Sequence, residues 1–187
     1  MVKRIFDIFL SLICLSFFSF IMILITLMIL FTSKRNVLYW SKRVGKNNNF
    51  FKMPKFRTML LKTPEVASDK IYNPESFYTP IGEYLRHYSL DELPQLFSIL
   101  KGDMSFVGPR PALYNQNELI KMRTEKKIHL LMPGLTGWAQ VNGRDKISIF
   151  EKVKLDFEYS KNQTFWFDIK ILLMTFKKIF IKEDISH

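Results

Sequence analysis

Two adjacent carboxylates, Asp91 and Glu92, are of the residue types that phosphoryl transfer requires. An ionised carboxylate can attack phosphorus and form an acyl phosphate. A second carboxylate, together with substrate phosphates, can hold a Mg²⁺ ion that neutralises the charge developing during the transfer. The pair therefore predicts a nucleophile beside a metal ligand.

The same pair also fits a purely structural role. Ser89 and Glu92 have the spacing of a capping box, in which serine caps a helix and glutamate bonds back to it. Pro94 complicates this interpretation, because in a helix starting at Ser89 its ring would oppose the carbonyl of Leu90. The helix therefore either kinks or begins near Leu93. Both arrangements place the carboxylates at the positive end of a helix dipole, which favours their ionised form. The spacing favours capping and leaves both roles open.

Cations in rigid turns could bind the phosphates of a substrate. Arg110 lies between two prolines, which restrict its backbone and suit a guanidinium that binds phosphate through two hydrogen bonds. Arg144 follows an Asn-Gly turn signal, and Lys55 and Arg57 add positive charge near the apolar N-terminal segment. Taken singly, such residues are more often solvated surface groups.

Residues 8–31 form an apolar run of 24 residues without a charge. As a helix this run would be about 36 Å long, against a hydrocarbon core of roughly 30 Å. It is too long for the apolar region of a signal peptide, and core helices are seldom apolar on every face. The sequence therefore predicts a segment that enters the membrane.

Basic residues flank this segment on both sides. Lys3 and Arg4 precede it, and nine Lys and Arg residues follow before the first acid, Glu65. The positive-inside rule places the C-terminal side in the cytoplasm strongly and the N-terminus there weakly. A re-entrant helix satisfies both preferences, and Ser16 and Ser19 could support a bend, although the run contains no proline. Because a straight span would translocate two cations, we favour re-entrance.

Composition excludes several classes of protein. The chain has 187 residues and a net charge of +11, with 48% hydrophobic and 24% charged residues. Eighteen Phe residues supply apolar surface that a disordered chain lacks, and seven Gly residues without a period exclude collagen-like and repeat architectures. The single Cys14 excludes an intrachain disulfide, and the three scattered His residues give no zinc spacing.

Apolar periodicity outside the membrane segment predicts an α+β, mainly helical domain. The interpretation divides the chain into a membrane-inserted segment, residues 1–33, and a catalytic domain, residues 34–187. Residues 33–64 are expected to form a basic connector and a short strand or loop, and residues 137–144 a short strand. The last helix suits either an interfacial position or core packing. Helices are expected over residues 81–101 (broken at 89–94), 117–131, 150–159 and 164–181.

Several motifs, in this order, closely resemble those of the bacterial sugar transferases, the monotopic polyprenyl-phosphate phosphoglycosyl transferases, in their minimal catalytic form. The resemblance extends from Lys3 to about Lys182. The motifs are KFRTM at residues 55–59, SLDELPQL at 89–96, LKGDMSFVGPRP at 100–111 and PGLTGWAQVNGR at 133–144.

The resemblance implies transfer of a sugar 1-phosphate from a UDP-sugar to undecaprenyl phosphate, with release of UMP, at the cytoplasmic face of the bacterial inner membrane. It implies that Asp91 is the nucleophile, forming a covalent phosphosugar intermediate, and that Glu92 helps to hold Mg²⁺. It also implies phosphate-binding residues, and leaves three further family positions without a role. The implied phosphate ligands are Arg57, Arg110, Arg144 and, more weakly, Arg86; the positions without a role are Asp156, Tyr159 and Asp168.

The chain departs from the family pattern at two positions. Ser19-Phe20 stands where members typically have Ser-Pro, and Met132 stands where an arginine is common. A rival hypothesis is a non-catalytic, basic, membrane-anchored protein that binds anionic lipid or nucleic acid. The acid pair argues against this rival, and we expect membrane lipid but no nucleic acid among the partners. The sugar, the glycan pathway and the oligomeric state have no signal in the sequence.

Overall fold

The computed structural model describes residues 2–33, 36–64, 73–143 and 147–181. Within them it is mainly helical, as predicted, and it also contains two small two-stranded sheets. The helices are α1 (Val2–Ser33), α2 (Gly82–His87), α3 (Gln95–Lys101), α4 (Asn117–Glu125), α5 (Trp138–Val141), α6 (Ile149–Lys161) and α7 (Phe165–Ile181). The strands are β1 (Leu38–Val44), β2 (Phe50–Phe56), β3 (Ser105–Val107) and β4 (Gly134–Thr136).

One face of helix α1 packs against the rest of the protein along most of its length. Leu10 and Cys14 pack against the main core, which includes Leu96, Ile99 and Phe106, whereas Ile25 and Ile29 join a second cluster with Phe56 and Leu85. The opposite face of α1 leaves large apolar side chains exposed along its length. By length and composition α1 can cross a membrane.

Strands β1 and β2 form an antiparallel hairpin, with Leu38 opposite Phe56 and Val44 opposite Phe50. The sequence predicted one strand or loop here. The turn between the strands contains a short 3-10 segment, Lys46–Asn48, in which Asn47 and Asn48 have φ values of 58° and 60°. Asparagine tolerates this left-handed conformation better than most residues. The hairpin brings the end of β2 against the segment that carries the acid pair.

Strands β3 and β4 pair in parallel and hold two glycine-containing motifs together. A Cβ added to Gly134 would lie 2.1 Å from the Gly108 nitrogen, so only glycine permits this approach. The predicted strand over residues 137–144 is wrong: β4 lies earlier, and α5 follows it. Gly137 packs equally tightly against the Gly108 carbonyl, and the chain leaves the sheet at that point.

The predicted break at residues 89–94 is confirmed. Helix α2 ends at His87, a 3-10 turn covers Leu90–Glu92, and α3 begins at Gln95 directly after Pro94. Proline is well tolerated there because an N–H at a helix start has no intrahelical partner. The predicted helix over residues 117–131 is shorter than expected, since α4 ends at Glu125 and a separate 3-10 turn covers Ile128–Leu130.

Helix α7 leaves Trp166, Leu173 and Phe176 largely exposed, although Ile171 on the same helix is fully buried. The helix thus packs on the core, as one of the two expectations had it, and it also presents an apolar face outward; its interfacial position stays a prediction. Exposed apolar patches of this kind are typical of membrane or protein contacts.

Candidate active site

The acid pair Asp91 and Glu92, from here on called the dyad, lies in the 3-10 turn Leu90–Glu92, between α2 and α3. Ser89 adopts a left-handed conformation with φ of 54°, and its side chain makes no capping hydrogen bond. The capping-box interpretation of Ser89 and Glu92 is therefore wrong. A complete capping box is present instead at the start of α6, between Ser148 and Glu151.

Glu92 is held by two cations. Lys55 Nζ and Arg110 Nη2 each donate to Glu92 Oε1 at 2.7 Å, and these bonds connect the end of β2, the dyad and the turn after β3. Burial alone would raise the pKa of Glu92, but Arg110 and Lys55 hold that pKa well below its usual range. Glu92 is therefore ionised throughout the physiological pH range.

The carboxylate of Asp91 is also buried, but it lies farther from Lys55 than the carboxylate of Glu92 does. Its exposed fraction is 6%, and Lys55 Nζ lies 3.7 Å from Oδ2. Within the described part of the chain its carboxylate accepts no hydrogen bond. Burial raises the pKa of Asp91 above its ordinary value, and the charge of Lys55 opposes that rise. In the dyad, therefore, Glu92 is held by two cations, whereas the oxygens of Asp91 accept no hydrogen bond within the described residues.

The structure brings together only some of the predicted phosphate ligands. Arg110 contacts the dyad, and Arg86 is close enough for its charge to lower the pKa of Asp91. Arg57 instead donates to the carbonyl oxygens of Asn36 and Leu38 at 3.0 and 3.3 Å, beside the β-hairpin. Arg144 lies outside the described residues.

Lys55 contacts both acids, although the motif comparison assigned the basic role to Arg57. Both residues belong to the same KFR sequence, and the sequence offers no rule for choosing between them. Lys55 is the penultimate residue of β2, whereas Arg57 lies just beyond the strand and turns back toward β1. The end of the strand therefore decides which cation faces the dyad.

A buried ion pair between Arg123 and Asp156 holds the backbone of Arg110 in place. Arg123 on α4 donates through Nε to Asp156 on α6 at 3.0 Å, and through Nη1 to the Arg110 carbonyl oxygen at 2.8 Å. Removing one partner of a buried pair typically costs about 3–5 kcal/mol of stability. Arg123 was missed by the sequence analysis, and Asp156, a position left without a role, now has a structural one: holding the residue that fixes the Arg110 backbone.

The other two positions without a role, Tyr159 and Asp168, form a polar cluster with the N-terminus of α1. Lys3 Nζ donates to Asp168 and to the Val107 carbonyl oxygen, and the Tyr159 hydroxyl donates to Asp168 Oδ1 at 2.6 Å. Burial, followed by the hydrogen bond to Asp168, raises the pKa of Tyr159, so the phenol stays protonated. This polar cluster fixes the first turn of α1.

Two more residues of the same end of α1 are bound to the domain. Arg4 donates to the carbonyl oxygens of Ile99 and Leu100 at 2.6 and 2.7 Å, and these carbonyls belong to the last turn of α3. Asp7, which is buried, accepts a hydrogen bond from the Phe106 N–H at 3.1 Å. The N-terminal turns of α1 and the segment after the dyad are thus one connected unit.

The donor set of the dyad suits a magnesium ion that substrate helps to bind. Mg²⁺ is commonly held by one or two carboxylates together with waters and substrate phosphates. Asp91 and Glu92 are adjacent, and both cations that contact Glu92 bond to the same oxygen, Oε1. Among the described residues no group of three or more His, Cys, Asp or Glu side chains could hold a metal ion by itself. The residues therefore fit a Mg²⁺ ion whose remaining ligands are water molecules and substrate phosphates.

Comparison with known proteins places the whole arrangement in one family. The profile of the family described as "Bacterial sugar transferase" matches residues 1–182. The uncharacterized sugar transferase EpsL of Bacillus subtilis is 38% identical over 99% of this chain and 90% of its own length. The undecaprenyl-phosphate glucose phosphotransferase of Komagataeibacter xylinus is 36% identical over 94% of this chain. The UDP-glucose:undecaprenyl-phosphate glucose-1-phosphate transferase of Escherichia coli is 36% identical over 98% of it. The chain spans 35% and 41% of the length of these last two proteins.

Proposed function

Because the chain belongs to the bacterial sugar transferase family, we propose that it transfers a sugar 1-phosphate from a UDP-sugar to undecaprenyl phosphate and releases UMP. The names of two relatives describe transfer to undecaprenyl phosphate, and one of them names UDP-glucose as donor. These names favour an enzyme over the non-catalytic lipid- or nucleic-acid-binding alternative. One observation carries the proposal: the dyad pairs a cation-bound carboxylate with an adjacent buried carboxylate that makes no hydrogen bond within the described residues.

The proposed reaction has two displacements at phosphorus. An oxygen of Asp91 attacks the β-phosphorus of the UDP-sugar, the bond from that phosphorus to the bridging oxygen breaks, and UMP leaves. An oxygen of undecaprenyl phosphate then attacks the same phosphorus, the bond to Asp91 breaks, and the carboxylate is regenerated. Each step forms one bond to phosphorus and breaks one, so the enzyme needs no further reactant.

The cations around the dyad stabilise the charge that develops during both steps. Lys55 lies between the two acids, and Arg110 presents a guanidinium whose backbone is held through Arg123. Preorganised charge of this kind stabilises a transition state more effectively in a water-poor site than in bulk water. When bound, Mg²⁺ would supply Lewis-acid neutralisation of the phosphate oxygens, and we propose Glu92 as its protein ligand, with Asp91 as the nucleophile beside it.

The proposed reaction is tested by mixing the protein, in detergent or nanodiscs, with undecaprenyl phosphate, Mg²⁺ and a panel of UDP-sugars. We expect at least one UDP-sugar to give UMP and a lipid-linked sugar diphosphate in equal amounts. Removal of Mg²⁺ with a chelator should stop both products. Failure of every UDP-sugar in the panel to release UMP would contradict the proposal.

We also propose that α1 is re-entrant, with both ends on the cytoplasmic side. Lys3 and Arg4, at one end, bond to the domain that Ile25 and Ile29 contact near the other end. A helix that crossed the bilayer would separate its first turn from that domain by about 30 Å of hydrocarbon. Such a separation would break the hydrogen bonds of Lys3 and Arg4.

Cysteine labelling tests this topology. In a Cys14→Ser background, Val2→Cys is expected to react with an impermeant thiol reagent only after spheroplasts are lysed, because Val2 is exposed on the cytoplasmic side. Asn162→Cys, in the exposed loop between α6 and α7, is the matched control for the cytoplasmic domain and should behave identically. Labelling of Val2→Cys in intact spheroplasts, with Asn162→Cys protected, would show that α1 crosses the membrane.

A further inference from the structure

The turn that carries Arg110 is held at both of its ends by cationic side chains. This turn, residues 107–110, is called the Arg110 turn below. Lys3 Nζ, in the first turn of α1, donates to the Val107 carbonyl oxygen at 2.9 Å. Arg123 Nη1, on α4, donates to the Arg110 carbonyl oxygen at 2.8 Å. Two helices that are distant in sequence therefore fix the first and the last residue of the turn.

Between these two residues the backbone of the Arg110 turn is bonded to β4. The Gly108 N–H donates to the Thr136 carbonyl oxygen at 2.9 Å, and the Pro109 carbonyl oxygen accepts from the Gly134 N–H at 3.0 Å. Because these bonds join backbone to backbone, their donors and acceptors remain when a cationic side chain is replaced. The contribution of each cation can therefore be measured separately from that of the sheet.

Other residues at the same end of α1 also attach this helix to the domain. Arg4 donates to two carbonyl oxygens in the last turn of α3, and Asp7 accepts a hydrogen bond from the Phe106 N–H. These bonds remain when Lys3 is replaced. The bond from Lys3 to Val107 can therefore be removed while the helix stays in place.

The position of the Arg110 turn determines where the Arg110 guanidinium lies. Its Nη2 donates to Glu92 Oε1 at 2.7 Å. Only Gly108 and Pro109 separate Arg110 from the carbonyl group that Lys3 holds, and the proline ring fixes one backbone dihedral of this short connection. A shift of the Val107 peptide group is therefore passed on to the guanidinium. A misplacement of about 1 Å can cost an enzyme on the order of a hundredfold in rate.

We propose that Lys3 is a positioning residue for the transfer: by holding Val107 it keeps the Arg110 guanidinium where it can act on the phosphates of the substrate. This inference rests on the proposed function. Lys3 suits this role because its ammonium group is itself fixed by Asp168, which is 3% exposed. The first turn of the membrane helix is then part of the active-site scaffold, and catalysis depends on the helix being seated against the domain.

The test replaces Lys3 by methionine, which keeps an unbranched side chain of similar length but has no N–H donor. Turnover of the full-length protein in nanodiscs is measured as UMP release at saturating UDP-sugar and undecaprenyl phosphate. We expect it to fall by roughly tenfold, the size expected for one hydrogen bond from a charged donor. Lys101→Met is the matched control, because Lys101 also pairs with an aspartate but its side chain is 75% exposed. The control should keep wild-type turnover.

Lys3→Met also removes the cation that pairs with the buried Asp168, and an unpaired buried charge lowers stability by itself. The double variant Lys3→Met/Asp168→Asn removes both charges and still lacks the donor to Val107. Its turnover should therefore stay near that of Lys3→Met. Recovery of wild-type turnover in the double variant would show that the unpaired charge caused the loss, and would overturn the proposal.

A double-mutant cycle shows whether Lys3 acts through Arg110. Substitutions at coupled residues have non-additive effects, whereas those at independent residues add. In an Arg110→Gln background, Lys3→Met should therefore lower the remaining turnover by less than about twofold. An equal loss in the two backgrounds would mean that Lys3 acts independently of Arg110, and the proposal would be wrong.

Hydrogen exchange measures the positioning without relying on turnover. Amide exchange in the peptide that covers residues 105–113 should be faster in Lys3→Met than in the wild-type protein and in Lys101→Met, because a less firmly held turn opens more often. Unchanged exchange would overturn the proposal. Absence of UMP release from the wild-type protein with every UDP-sugar would instead contradict the proposed function, and the exchange result would then decide alone whether Lys3 holds the Arg110 turn.

Discussion

Replacing Asp91 by asparagine is expected to lower turnover by at least roughly a thousandfold, the scale seen when a nucleophile is removed. Asparagine keeps the shape of the side chain but cannot form the acyl phosphate. The protein should remain folded, because burial already disfavours the charged form of Asp91 and its carboxylate accepts no hydrogen bond within the described residues. Turnover is measured as UMP release, and intact mass after incubation with UDP-sugar alone should show a phosphosugar adduct on the wild-type protein only.

Asp103→Asn is the matched control for this substitution. Asp103 follows α3 and pairs with Lys101, a largely exposed residue, at 2.8 Å, so the same chemical change there should leave turnover and adduct formation near wild-type levels. An Asp91→Asn protein that keeps near-normal turnover would show that the attacking group is elsewhere.

Replacing Glu92 by glutamine is expected to lower turnover by about 10²–10³-fold, in the range found when one charge-stabilising group is removed from an active site. The amide cannot balance the charges of Lys55 and Arg110, and it is a poorer ligand for Mg²⁺. The Mg²⁺ concentration that gives half-maximal activity should therefore rise. The measurement is a magnesium titration of UMP release, with thermal unfolding to confirm that the variant is folded at the assay temperature.

Glu83→Gln provides the comparison for Glu92, because Glu83 is an exposed acid in the first turn of α2. Its rate and magnesium response should match those of the wild-type protein. A Glu92→Gln variant with a reduced rate but an unchanged magnesium response would limit Glu92 to holding the two cations. An unchanged rate would remove it from the active site.

Local features of the sequence predicted the elements that carry the dyad. The uninterrupted apolar run predicted α1, and Pro94 placed the helix break where the structure has the turn Leu90–Glu92. These predictions succeed because they depend on composition and on steric rules that act within a few residues.

Contacts between distant segments were not predictable in the same way. The hairpin register and the end of β2 decide that Lys55 and not Arg57 faces the dyad, and neither is encoded in residues 55–57 themselves. Arg123 and Asp156 are separated by 33 positions, and nothing local marks them as a pair. The capping-box prediction failed for a related reason. Glu92 binds Lys55 and Arg110, two cations from distant parts of the chain, and does not bond to the backbone of Ser89.

The polar cluster at the first turn of α1 has a consequence for the order of biogenesis. Lys3 and its partner Asp168 are separated by 165 positions, so at about 5–20 residues per second the ribosome needs roughly 8–30 s to deliver the partner after Lys3 emerges. During this interval the residues of α1 have already been synthesised, whereas α7, which carries Asp168, has not. The last contact of α1 with the rest of the protein therefore forms late, when the C-terminal part of the chain has been synthesised. A truncation before Asp168 would remove the carboxylate that binds Lys3 and leave the first turns of α1 held only by their bonds to α3 and β3.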